Sequence, residues 1–219
     1  MDLFFGTSNP GKLRELLRLV AGLPVRVLSP AELGRPLPEV LEDGASFAEN
    51  AAKKARAFAR VAGVPALADD SGLAVDALGG APGVISARWS EDLDPRPLPR
   101  AERDLANDRK LLAALARIDD PGRGAAYVAV LAVAAPDGRL LASAEGRCRG
   151  RIARSPRGGG GFGYDPLFVP DGHAVTMAEL APEAKDALSH RGAAFRALRP
   201  ALARLAGLAG TLDEPRGNG

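Results

Sequence analysis

A chain of 219 residues, 46% hydrophobic and 26% charged, can bury a sizeable core; this excludes disorder over most of its length and points to one domain over 1–207 with a frayed tail at 208–219. Its 29 basic and 27 acidic residues leave a formal +2, which excludes the broad positive field of a nucleic-acid or anionic-membrane binder. The single Cys148 excludes an intramolecular disulfide and any multi-cysteine zinc site, and with no basic leader and no bilayer-length apolar run the expected setting is cytoplasmic.

Residues 2–5 form a short apolar run ended by Gly6-Thr7-Ser8-Asn9-Pro10-Gly11, after which Leu13, Leu16, Leu17 and Val20 recur at helical spacing. This predicts strand, loop, helix. Residues 24–28 read as a second strand and 29–44, rich in proline and acid, as a loop. Ser46 with Glu49 makes a capping box, and the alanine-rich helix that follows stops at Gly63. Residues 66–68 and 73–78 read as two strand pieces flanking Asp69-Asp70-Ser71-Gly72, and 92–100 as an exposed crossing loop. A helix is expected over 101–118, then strands over 125–135 and 140–152 joined by the hairpin turn Pro136-Asp137-Gly138-Arg139. A flexible glycine-rich loop spans 158–163, and the last helix begins near Ser189 and is interrupted at Pro200. Helices alternate with strands early and strands pair as a hairpin later, which predicts an α/β domain with a mixed sheet.

Gly6 to Lys12 fits the spacing G-x-x-x-x-G-K in a strand-loop-helix setting suited to phosphate. Leu13 stands where a Walker motif needs a hydroxyl and Pro10 removes a backbone donor, so an ordinary turn with a solvated lysine competes with a phosphate cradle. Gly158-x-Gly160-x-x-Gly163 matches the dinucleotide string, but Tyr164-Asp165-Pro166 follows where a helix should open, so that reading fails. The same loop is either a linker or, through Phe162, Tyr164 and Asp165, a platform for a planar ligand. Asp69 and Asp70 repel each other unless Mg²⁺ or a hydrogen-bond network intervenes, with Glu42 a candidate third carboxylate; capping acids are the alternative. Lys54 interrupts the apolar stripe of Phe47, Ala51, Phe58 and Val61 and either meets an anion or snorkels to solvent, whereas Lys53 pairs with Glu49 on the other side. Lys185, His190 and Arg191 cluster around a helix start capped by Ser189, where cations are unfavourable unless an anion or an oxygen-rich ligand lies close. His173 reads as a surface loop residue, Cys148 as a plain strand thiol, and Trp89 as a residue of a lobe junction or subunit interface.

Six segments carry a resemblance that these readings alone do not: Thr7-Ser8-Asn9-Pro10-Gly11-Lys12, Ser46-Phe47-Ala48-Glu49-Asn50-Ala51 with Lys54, Ala68-Asp69-Asp70-Ser71-Gly72-Leu73, Gly79-Gly80-Ala81-Pro82-Gly83, Gly161-Phe162-Gly163-Tyr164-Asp165-Pro166 and Ser189-His190-Arg191-Gly192. In order and spacing, over residues 3–205, they resemble the inosine triphosphate pyrophosphatase family. The resemblance implies an elongated, two-lobed α/β fold around a long mixed sheet, a homodimer, and Mg²⁺-dependent hydrolysis of ITP, dITP and XTP to the monophosphate and pyrophosphate. It implies that Thr7, Ser8, Asn9, Pro10, Gly11, Lys12 and Lys54 hold the triphosphate. Glu42 and Asp70 would hold the metal, with Asp70 the base toward water and Asp69 in support. Phe162, Gly163, Tyr164, Asp165, Lys185, His190 and Arg191 would form the nucleoside pocket and Ser71 would contact substrate. Donors such as Arg191 or His190 aimed at the purine 6-oxygen would favour hypoxanthine and xanthine over adenine. A P-loop-like NTPase or kinase acting on the γ-phosphate and a non-catalytic nucleotide-binding module are the alternatives; nucleic-acid binding is the weakest.

Overall fold

A computed structural model describes residues 1–207 other than 8 and 35, so the expectations for Ser8 and for the 208–219 tail lie outside the described residues. Six strands hydrogen-bond in the order β2-β1-β3-β4-β5-β6: β1 (Asp2–Phe5), β2 (Arg26–Leu28), β3 (Ala66–Val75), β4 (Gly124–Ala134), β5 (Leu140–Ile152) and β6 (Phe168–Pro170). β1 runs parallel to both of its neighbours, and the remaining pairs are antiparallel, which is the expected mixed sheet. Among the described residues six α-helices accompany it: α1 (Pro10–Leu19), α2 (Pro30–Leu33), α3 (Phe47–Ala62), α4 (Arg100–Ala114), α5 (Pro182–Leu188) and α6 (His190–Leu205).

Alternate side chains of a strand point to opposite faces, and the core divides accordingly. Leu3, Phe5, Leu67, Ala129, Leu131 and Val133 pack with Leu16 of α1, with Val20 just past its end, and with Phe195 and Leu198 of α6. Phe4, Ala66, Ala68, Val130 and Ala132 pack with Ala51, Ala55 and Phe58 of α3 on the other face. A third cluster occupies the far ends of β3, β4 and β5, where Leu73, Val75, Tyr127, Cys148 and Ile152 meet Leu111, Leu115 and Phe168. Two lobes result, with the three long strands running through both.

Two expectations need correction. β3 is one continuous strand rather than two pieces, because each residue from Ala66 to Val75 pairs with β4 and the acids in its middle find ionic partners. α6 runs through Pro200: buried Phe195, Leu198 and Leu202 hold it to the sheet on either side of the proline, which itself faces solvent. The short α2, closed by a Ser29–Glu32 capping box, and α5 and β6 have no counterpart in the sequence reading.

The chain leaves β1 through α1 to reach β2 on one side, then crosses back through α3 to β3 on the other. The C-terminal end of β1 is therefore a topological switch point, where α/β sheets open a crevice. β1 pairs with β3 only at Phe4 and Phe5, so beyond that point Asp69, Asp70 and Ser71 border the crevice. Gly6 makes the turn out of β1 there; a Cβ on it would sit 2.2 Å from the Phe58 ring.

Candidate active site

Asp69 and Ser71 project to the α1 and α6 face of β3, and Asp70 to the α3 face. Asp69 Oδ2 takes Lys12 Nζ at 2.8 Å and Arg191 Nε at 3.2 Å. Arg191 extends the chain of charges to Glu15 (3.2 Å) and donates to Ser71 Oγ (2.9 Å), and Lys185 joins Glu15 (3.4 Å) to Asp165 (2.8 Å). Three cations and three carboxylates thus alternate in one buried, balanced row. Burial alone would raise the Asp69 pKa, but Lys12, Arg191 and Lys54 outweigh it and hold the carboxyl well below the usual range. Burial lowers the Lys12 pKa against the pull of Asp69.

The α3 face holds a second, looser set of charges. Lys54 Nζ lies 2.7 Å from Asp70 Oδ1 and 2.9 Å from Glu42 Oε1, one ammonium between two carboxylates. Asn50, fully buried, donates to Asp70 Oδ2 (3.4 Å) and accepts from Gly44 N–H (2.8 Å), while Arg88 donates to the Glu42 carbonyl (2.7 Å). Burial raises the Asp70 pKa against Lys54; burial would lower that of Lys54, but Asp70, Asp69 and Glu42 raise it overall. Arg88 also brings its guanidinium within 3.9 Å of Glu42 Oε2, so two cations face two carboxylates, and the corner presents hard oxygen donors. Among the described residues no three His, Cys, Asp or Glu side chains converge as a metal cage. Two carboxylates suit Mg²⁺, which takes one or two carboxylates and completes its shell with water and substrate phosphate; the donor set fits.

Both faces open into a cleft of about 500 Å³. Its far wall carries Phe162, Gly163, Tyr164 and Asp165. Asp165 pins that loop by accepting from Phe162 N–H (2.8 Å) and from Lys185, and Asp104 of α4 accepts from Gly163 N–H (3.0 Å). Arg100, Lys185 and Arg191 surround the Phe162 ring at 5.1, 4.9 and 5.1 Å from its centroid. His190 stacks on Tyr127, centroids 4.7 Å apart and planes 9° apart, with its Nδ1 buried and unpartnered. Burial, then Arg191 and Lys185, push the His190 pKa well down, so the ring is neutral.

A corner of lysines and carboxylates beside a loop of aromatic and charged groups suits a nucleotide, and comparison with known proteins agrees. The model of the Ham1 family matches residues 3–201. The chain belongs to the Ham1 family. A protein named dITP/XTP pyrophosphatase from an Anaeromyxobacter species is 60% identical, with 94% of this chain and 98% of that protein covered. The structure of a HAM1 protein from Coxiella burnetii is 38% identical at a TM-score of 0.80, covering 93% of this chain and 99% of its own. The structure of a nucleoside-triphosphatase / dITP/XTP pyrophosphatase from Mycobacterium abscessus is 49% identical at a TM-score of 0.70, covering 91% of this chain and 100% of its own.

Of the residues singled out from sequence, this Ham1-family chain brings Thr7, Asn9, Lys12, Glu42, Lys54, Asp69, Ser71, Phe162, Gly163, Tyr164, Asp165, His190 and Arg191 to one cleft. Asp70 borders it through Lys54, Lys185 lies buried behind Asp165, and Pro10 and Gly11 form the first turn of α1. The Asn9 side chain accepts from Gly11 N–H (2.9 Å) and Lys12 N–H (3.4 Å), so the donors a Walker loop would offer a phosphate are already used. Lys53 pairs with Asp43 rather than Glu49, because Glu49 turns back to the Ala45 N–H. Trp89 packs under Lys110 of α4, 4.0 Å from its ring centroid. Burial pushes the Cys148 thiol up to about 11, as a plain strand thiol should be. Sequence reading missed Glu15, Asn50, Arg88, Arg100, Asp104 and Tyr127. For Glu15 the signal exists: positions 12, 15, 16 and 19 share one face of α1, so an acid there lies among leucines.

Proposed function

We propose that this Ham1-family chain, as one catalytic domain over 1–207, hydrolyses ITP, dITP and XTP between the α and β phosphates, releasing the monophosphate and pyrophosphate. The observation that carries the reading is the division of labour at β3. Asp69 is consumed by Lys12 and Arg191, whereas Asp70 shares a single ammonium with Glu42 at the mouth of the crevice.

Substrate phosphates need cations, and Lys12 and Lys54 supply them from opposite faces of the strand. Both lysines exchange a carboxylate for a phosphate oxygen when the triphosphate enters, which releases Asp70 to act on water. Asp70 is then placed to accept the proton of an attacking water through one oxygen while Asn50 orients the other. Glu42 and Asp70 would hold Mg²⁺, which when bound supplies charge neutralisation to the phosphates. On the base side, Arg191 and Lys185 have only hydrogens to donate, which matches the 6-oxygen of hypoxanthine and xanthine and not the 6-amino group of adenine. Phe162 offers the stacking face.

No helix of the described residues is long and apolar enough to cross a membrane; the balanced charge supports a role without nucleic-acid partners, and the single cysteine supports a cytoplasmic setting. The homodimer rests on the family resemblance, and sedimentation at two concentrations tests it. Incubation with ITP and Mg²⁺, with the products separated, tests the reaction itself. IMP with pyrophosphate is expected, and EDTA abolishes its formation. IDP with orthophosphate means attack on the γ-phosphate and overturns the reading.

A further inference from the structure

Among the described residues, five lysine or arginine side chains line the cleft: Lys12, Lys54, Arg100, Arg103 and Arg191. Four have a carboxylate at hand, Lys12 on Asp69 at 2.8 Å, Lys54 on Asp70 at 2.7 Å, Arg191 on Asp69 at 3.2 Å and Arg100 on Asp104 at 3.7 Å. Arg103 has no ion pair among the described residues, and its Nε is buried without an acceptor. An N–H removed from water and left unpaired costs free energy, and a guanidinium cannot escape by losing its proton. A cation in that state, aimed into a cleft that receives a polyanion, is a ligand-binding group waiting for its acceptor.

Its place on α4 says which end of the ligand it meets. One turn on, Asn107 accepts from Ser90 N–H (2.8 Å) and donates to the carbonyls of Ser86 (3.3 Å) and Ala87 (3.2 Å), which fixes α4 against the 83–90 turn. From that same turn Arg88 reaches the Glu42 carbonyl at 2.7 Å, so the wall carrying Arg103 continues into the Glu42–Lys54 corner. On the same face of α4, Arg100 and Asp104 hold Phe162 and Gly163.

We propose that Arg103 binds a phosphate oxygen of the incoming nucleoside triphosphate, so that α4 joins Lys12 and Lys54 in phosphate recognition; this rests on the nucleotide reading above. Lys12, Lys54 and Arg191 must each give up part of a carboxylate contact to bind phosphate. Arg103 gives up only water, and its planar fork offers two parallel donors.

Arg103→Gln and Arg103→Lys test this. The glutamine variant is expected to raise KM about 10- to 100-fold, by the same factor for ITP and XTP, with kcat changed less than about threefold. The lysine variant falls between it and the parent. Affinity for inorganic tripolyphosphate, measured by calorimetry without turnover, drops in parallel. Unchanged KM and tripolyphosphate affinity in both variants overturn the proposal, and so does a changed ITP-to-XTP ratio, which would put Arg103 on the base. Because the calorimetry needs no catalysis, a parent protein that binds tripolyphosphate through Arg103 yet leaves ITP intact would sink the reaction assignment and not this one.

Discussion

Asp69 and Asp70 are neighbours in sequence with opposite duties, and their environments let substitution separate them. Asp70→Asn removes the proton acceptor but leaves Lys54 its contact with Glu42, so turnover should fall by about 10²- to 10⁴-fold with little change in thermal midpoint. Asp69→Asn leaves Lys12 and Arg191 buried without their shared carboxylate, and breaking such a pair costs about 3–5 kcal/mol. It should therefore unfold at markedly lower temperature; equal midpoints for the two variants would show that the division is wrong. At this scale the sequence was legible where a charge broke an apolar pattern, as Lys54 does in its stripe. Asn50 and Arg88 were not, since a buried amide on a helix and an arginine in a turn leave no periodic trace. Their roles come from a carboxylate 20 residues away in the first case and a backbone carbonyl 46 residues away in the second.

Among elements, α6 delivers His190 and Arg191 from its first turn, and β5 determines how closely that turn approaches the sheet. A Cβ on Gly146 would lie 2.1 Å from Ala194 N and 2.2 Å from the His190 carbonyl oxygen, both backbone atoms with no rotamer to yield. Gly146→Ala must then push the start of α6 outward, at about 1–3 kcal/mol for the overpacking. It should also stretch the Arg191 contacts to Asp69 and Ser71, so kcat/KM falls together with stability. A thermal midpoint and kcat/KM both equal to the parent's would show that α6 is not set by this contact. The helix, its Ser189 cap and the β4–β5 hairpin were all legible, because caps and turn dipeptides are local chemistry. The continuity of β3 was not: three polar residues in a row end a strand by local pattern, and only the ladder with β4 and the ion pairs across the cleft override that pattern. Pro200 misled for the same reason, since tertiary packing of Phe195, Leu198 and Leu202 outweighs one missing hydrogen bond.

For the whole molecule, two buried titratable groups pull stability in opposite directions over one pH range. His190 is held neutral by burial, Arg191 and Lys185, so its folded pKa lies well below the ordinary 6.5. Below that pH the unfolded chain takes up the proton and the folded one does not, and stability is lost as pH falls. Asp108, buried on α4 with one oxygen unpartnered, is pushed up to about 7 by burial and by the charges of Asp104 and Asp165. Its folded pKa exceeds the unfolded 3.8, so its contribution is present in acid and is lost as pH rises toward 7. Between about pH 4 and 6.5 the two slopes oppose, and the parent Tm should be nearly flat there. Asp108→Asn removes the falling slope: its Tm should climb with pH and exceed the parent's by about 5 °C at pH 8, while the two agree near pH 4. His190→Gln leaves only the falling slope, so its Tm should decline over the same interval. The two groups stand on different helices, one on α6 and one on α4. A Tm profile that keeps its shape in both variants would mean that neither group titrates as its surroundings dictate.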